Sequence, residues 1–143
     1  MTITATVSNH AKFMMATKKI DLENDSLKAI LMNTAFAFDK DAHATLADIT
    51  ASQLSTGNGY TQNDKALANV AVAEDDANDR AQLTCDDPSW MASGGVIGPF
   101  GALIIYDDTT TDDTVLGCLD FGTDISVADG TSFAVRDIVF NLS

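Results

Sequence analysis

Leu27-Lys28-Ala29-Ile30-Leu31-Met32 is the stretch on which the fold turns. In an extended chain Leu27, Ala29 and Leu31 face one way and Lys28, Ile30 and Met32 the other. Five of these six are apolar, which predicts a strand covered on both faces. Downstream, Gly101-Ala102-Leu103-Ile104-Ile105-Tyr106 is the most apolar run and predicts a central strand. Residues 115–121 form another strand after a Thr/Asp loop. Residues 66–73 and 80–85 alternate, and the polar stretch Glu74-Asp75-Asp76-Ala77-Asn78-Asp79 joins them as a hairpin. Phe133 and Val135 keep one parity while Ile138, Phe140 and Leu142 keep the other. A parity flip within one strand predicts a bulge near Arg136 or Asp137.

Upstream lies one helix signal, over residues 9–19. Ser8 or Asn9 can cap it, and Ala11, Met14 and Met15 share a face with Val7 or Lys18. Lys18 and Lys19 stand where the helix dipole favours cations. Residues 1–7, in which Thr alternates with apolar residues, read as an edge strand or extended arm. Residues 20–26 make an acidic turn, and residues 33–59 a long loop with a helical turn near 45–49. Thr56-Gly57-Asn58-Gly59 is a turn signal. Residues 88–98 are irregular and carry the only Trp. The sum is about seven or eight strands with one short N-terminal helix, a mainly β chain. It predicts a single β-sandwich domain over residues 1–143, jelly-roll or immunoglobulin-like.

Composition narrows the partners. Of 143 residues 21 are acidic and 8 basic, a net charge of −13, and 19 of the acids are Asp. Nucleic-acid grooves and anionic membranes both need a basic footprint, so neither is expected as a partner. The 45% hydrophobic content argues against a disordered acidic tail. Residues 1–7 lack the basic-then-apolar order of a signal peptide, and residues 101–106 are too short to span a bilayer. Folding in a cytoplasm is the expectation. Cys85 and Cys118 show no metal or redox spacing and read as two buried thiols.

Chemistry is sparse. The two histidines, His10 and His43, are not set beside a Ser or Cys nucleophile motif. Gly94, Gly95 and Gly98 have neither phosphate-loop order nor a following helix. The Asp pairs 39/41, 75/76, 86/87, 107/108 and 112/113 do not fit an EF-hand and read as solvated loop acids, with a calcium site gathered from two loops as the alternative. No catalytic residue, cofactor site or metal site is assigned. Trp90 and Met91 form a candidate contact anchor, since both residue types are favoured at interfaces. The alternative is a Trp closing one end of the core. Thr2, Ile3 and Thr4 could dock on a neighbouring subunit by strand addition, or pair within their own sheet.

Asn9-His10-Ala11-Lys12, then Ile20-Asp21-Leu22, then Leu27-Lys28-Ala29-Ile30-Leu31 resembles the opening of a family of small structural proteins of tailed bacteriophages. Further segments fit in order over most of the chain. They are Gly57-Asn58-Gly59-Tyr60-Thr61, Ala66-Leu67-Ala68-Asn69, Ile105-Tyr106-Asp107-Asp108-Thr109, and Asp120-Phe121-Gly122 with Asp124, Ser126-Val127 and Gly130-Thr131. The resemblance implies a virion component, a head decoration (cement) protein without enzymatic activity. Such proteins are small β-sandwiches that bind the outer surface of the mature capsid as homodimers or homotrimers and bridge major capsid subunits. The family offers no catalytic residues. The alternative is a phage tail or head-fibre module binding host surface glycan, which an exposed aromatic platform of Trp90 or Tyr60 would favour. A small hydrolase is a third reading, which the histidine count and missing motifs disfavour.

Overall fold

The computed structural model describes residues 4–142. In chain order its strands are β1 (Thr4–Val7), β2 (Leu27–Asn33), β3 (Lys65–Ala66), β4 (Ala71–Asp75), β5 (Arg80–Thr84), β6 (Ser89–Met91), β7 (Ile97–Asp107), β8 (Val115–Val127), β9 (Ser132–Ala134) and β10 (Val139–Leu142). Two short helices, α1 (Asn9–Ala16) and α2 (Leu46–Ile49), complete it. One antiparallel sheet runs β1-β8-β7-β2-β3, a second β10-β5-β4, and a two-stranded sheet pairs β6 with β9. The chain is thus mainly β and sandwich-like.

Two-sided burial organises the larger sheet. Leu27, Ala29 and Leu31 of β2, with Leu103 and Ile105 of β7, enter one core. Leu83 of β5, Trp90 of β6 and Phe140 of β10 meet them there, together with Ala11 and Met14 of α1. Ile30 and Met32, with Ala102, Ile104 and Tyr106, enter a second core on the opposite face. That face is covered by Ile49 of α2 and by Phe36, Phe38 and Leu46. The long loop after β2 is therefore the lid of a second apolar layer. Each fully buried Leu or Ile contributes about 1.5–3 kcal/mol through water exclusion.

β8 keeps both layers in register through a bulge. Ile105 faces Gly117 while Tyr106 faces Val115, so Leu116 is an extra residue. It points into the first core, and Val115 and Cys118 into the second. Gly117 sits where a Cβ would stand 2.3 Å from the Thr6 carbonyl oxygen and 2.8 Å from the Phe140 ring. Only glycine lets β1 and Phe140 close this tightly over β8.

Helix α1 starts as its sequence predicts and stops early. The Ser8 hydroxyl accepts from Ala11 N–H at 3.0 Å and donates to the Val115 carbonyl at 2.5 Å, tying the cap to β8. The sequence predicts a helix that reaches residue 19. Instead Lys18 is left-handed (φ 62°), and Lys18 and Lys19 N–H close on Met15 and Met14 carbonyls.

The predicted bulge near Arg136 or Asp137 is a crossing between sheets. β9 pairs β6, whereas β10 pairs β5. Asp137 adopts φ 54° between them. Residues 66–73 also divide, with β3 in the larger sheet and β4 in the second. Left-handed Asn69 (φ 52°) stands between these two. Asn and Asp tolerate this conformation better than other side chains do. Both crossings lean on one acidic pair. The Asn69 amide donates to Asp86 at 2.6 Å, and Asp137 N–H donates to Asp87 at 3.2 Å.

Candidate functional site

One end of the sandwich holds Trp90 and Met91, two of the residues that the sequence marks for contact. Asn58 (φ 56°) and Gly59 (φ 101°) turn the chain between Gly57 and Tyr60, whose backbones exchange hydrogen bonds of 2.8 and 3.0 Å. A Cβ on Gly59 would lie 2.1 Å from the Met91 carbonyl oxygen, so the turn rests directly on β6. The Asn58 amide donates to the Val96 carbonyl at 2.9 Å, and Asn58 accepts from Ser93 N–H through its backbone oxygen at 2.9 Å. These bonds fix the glycine-rich loop before β7. A shallow cavity of about 450 Å³ opens beside it, lined by Asn33, Thr34, residues 54–58 and residues 96–99.

Tyr60 and Trp90 support this end from beneath. Tyr60 is 1% and Trp90 5% exposed, with ring centroids 6.3 Å apart. Burial pushes the Tyr60 phenol up to about 12, so it stays a neutral donor. Its hydroxyl accepts from Leu31 N–H and donates to Gln53. The Lys65 ammonium lies 5.5 Å from the Trp90 ring centroid, a cation–π contact. Met91 is 60% exposed and Val96 48%. The exposed apolar side chains of this end are therefore Met91 and Val96, and neither Tyr60 nor Trp90 forms a surface platform for stacking a sugar.

The remaining candidate interface residues fall elsewhere. Thr4 is opposite Asp120 in the pairing of β1 with β8, so this strand is paired within its own sheet. Thr2 and Ile3 lie outside the described residues.

Several loop carboxylates accept hydrogen bonds within their own turns. Asp39 accepts from Asp41 and Ala42 N–H, and these bonds hold its carboxyl below the ordinary value. Asp48 accepts from Thr45 N–H and Ala44 N–H at the start of α2 and is lowered for the same reason. Asp75 is lowered by the Asn78 amide and by Arg80, whose guanidinium lies at 2.9 Å. Asp107 differs. It is 1% exposed, and among the described residues its Oδ2 has no hydrogen-bond donor. Nothing in the local sequence separates it from the other Asp pairs, because its burial comes from the pairing of β7 with β2. Among the described residues no three His, Cys, Asp or Glu side chains are grouped to hold a metal ion. The thiols are free: burial and the Asp120 charge push Cys118 up to about 12, and burial with Asp86 and Asp87 pushes Cys85 up to about 11.

No described helix is long and apolar enough to cross a membrane. Comparison of the chain with protein-family models, curated proteins and solved structures gave no match.

Proposed function

We propose that this chain is a structural protein of a tailed-phage virion, a decoration protein that binds the outer capsid surface and bridges major capsid subunits. The ordered set of segments resembling that family carries the reading. Those segments hold fold-defining places: Asn9-His10-Ala11-Lys12 opens α1, residues 27–31 run through β2, and residues 57–61 contain the turn that rests on β6. Residues 105–109 end β7 and lead into the loop before β8.

The sandwich-like form and the surface charge agree with such a role. A protein that binds only the assembled lattice stabilises it by linkage, and repeated geometry multiplies weak contacts. The net charge of −13 keeps free subunits apart and away from packaged DNA. Met91 and Val96, exposed on a rigid end of the sandwich, are the apolar contacts we assign to docking.

An add-back titration tests the reading. Purified protein is mixed with expanded shells stripped of it, and bound copies and shell melting temperature are read together. Saturation at a fixed ratio to the capsid subunit with a raised melting temperature is expected. Binding at a few vertices only, or none, overturns the decoration reading and favours the fibre module.

A further inference from the structure

Asp107 ends β7 directly opposite Leu27 of β2. Its Oδ1 accepts from Thr109 and Thr110 N–H at 2.9 and 3.3 Å, and the Thr110 hydroxyl donates to its backbone carbonyl. Its Oδ2 is fully enclosed and receives no hydrogen bond among the described residues. The side chain that meets it is another carboxyl, that of Asp25, two residues before β2. Asp25 Oδ2 already accepts from Asp21 N–H at 3.1 Å. Two carboxylates in contact with no donor between them repel, and burial makes the repulsion worse. One hydrogen on either oxygen turns the contact into a strong charge-assisted hydrogen bond.

The charged groups around the pair do not neutralise it. Lys28, the nearest cation on β2, is paired with Asp108 at 3.3 Å. Asp112 on the following loop is paired with His10 of α1 at 2.9 Å. Asp113 and Asp108 add negative charge on the same loop, and Asp21 adds it on the turn that carries Asp25. Among the described residues the pair therefore sits in a negative field with no ammonium or guanidinium of its own.

We infer that the enclosed Asp107 carboxyl holds a proton in mildly acidic solution, and that this proton, directed at the Asp25 side chain, latches the turn before β2 to the loop between β7 and β8. The latch reinforces two bonds between the same segments. Asp108 N–H donates to the Ser26 carbonyl, and Ser26 N–H donates to the Thr109 hydroxyl, each at 2.8 Å. Burial and the neighbouring Asp25 push the Asp107 carboxyl up to about 7. Its native proton affinity thus exceeds the unfolded one, so its stabilisation is complete below about pH 4 and is lost as pH rises through about 7.

Thermal unfolding of the whole chain from about pH 5.5 to 8.5, where ordinary carboxyls stay ionised, tests the latch. The wild-type melting temperature falls by on the order of 5 °C over this range. Asp107→Asn keeps the acceptor and supplies a permanent donor, so it shows a flatter profile and melts above the wild type at the alkaline end. Asp25→Asn removes the repelling charge and flattens the profile too. Carbon-13 titration of the wild-type Asp107 carboxyl gives a midpoint near 7 whether or not the variants fold. A midpoint below about 5, in the ordinary carboxyl range, overturns the inference, as do equal slopes in wild type and Asp107→Asn. Millimolar calcium or magnesium at the alkaline end is the last arm. No response supports the proton on Asp107, whereas a rise in wild type that Asp107→Asn lacks means that the pair takes a cation.

Discussion

The Tyr60 hydroxyl stands 3.0 Å from the Leu31 backbone nitrogen and 2.9 Å from Gln53 Oε1. β3 pairs with β2 only at Lys28 and Ala29, so beyond Ala29 this edge of β2 is met among the described residues by the single bridge of Met32 to Gln53 rather than by a strand. Tyr60 supplies the missing acceptor from a turn 29 residues away. Leu54 N–H completes the edge by donating to the Leu31 carbonyl. Tyr60→Phe keeps the ring and orphans a buried amide. We expect a loss of about 1–3 kcal/mol by urea denaturation with no change in the slope of the transition.

Gly117→Ala tests the close approach of β1 to β8. Its Cβ meets backbone oxygen of Thr6, which cannot rotate away, and the Phe140 ring. Overpacking of this kind costs about 1–3 kcal/mol. Hydrogen exchange should show β1 amides opening first. Unchanged protection of β1 would mean that the strand yields without cost.

Trp90 and Met91 are neighbours with opposite exposure, and their variants should separate. Trp90→Ala empties a buried site and costs about 3–5 kcal/mol. Met91→Ala changes stability by less than about 0.5 kcal/mol, yet it should weaken binding in the shell titration. Equal binding by Met91→Ala and wild type would remove Met91 from the docking surface.

Acid should destabilise the protein by a separate route. Asp39, Asp48 and Asp75 have carboxyls held below their ordinary value of 3.8 by hydrogen bonds. Their folded-state affinity for protons is lower than the unfolded one. The stability they supply is therefore present above about pH 4 and lost as pH falls through their depressed values. The melting temperature should drop below about pH 4, and Asp75→Asn should shallow that drop.

The sequence made the layers legible where the cause was local. Period-two patterning of residues 27–32 announced a strand buried on both faces, and both cores take their share of it. The helical turn near 45–49 and the hairpin at 74–79 also stand where they were expected. Misreadings came where the chain changes sheet. A parity flip after Val135 reads the same whether a strand bulges or leaves for another sheet. Only the partners of β9 and β10 decide. Asn69 and Asp137 carried the signal, as residues that tolerate a left-handed backbone at a crossing. β6 was hidden in the irregular segment because it is three residues long and pairs 43 residues downstream, Trp90 with Phe133.

Of the candidate site, the turn at Asn58-Gly59 was readable from its dipeptide. The local sequence around Trp90 fits both core and surface, and its position beneath the turn follows from packing against Tyr60. Asp107 carried no local mark, since its carboxyl is enclosed by the pairing of β7 with β2, 80 residues apart in the chain at Leu27 and Asp107.

The pairing of Thr4 with Asp120 sets the order in which the molecule can be completed. While the chain is being synthesised, β8 has no partner on its outer side other than a segment made more than a hundred residues before it. β1 must wait, unpaired, until that strand emerges, and then close a loop of this length. Closure over such a separation is slow compared with local hairpins. Until it happens the outer edge of β8 is a template for any other extended chain. A crowded cell making many copies at once would meet this species first, and chaperone demand and misassembly would concentrate at that edge.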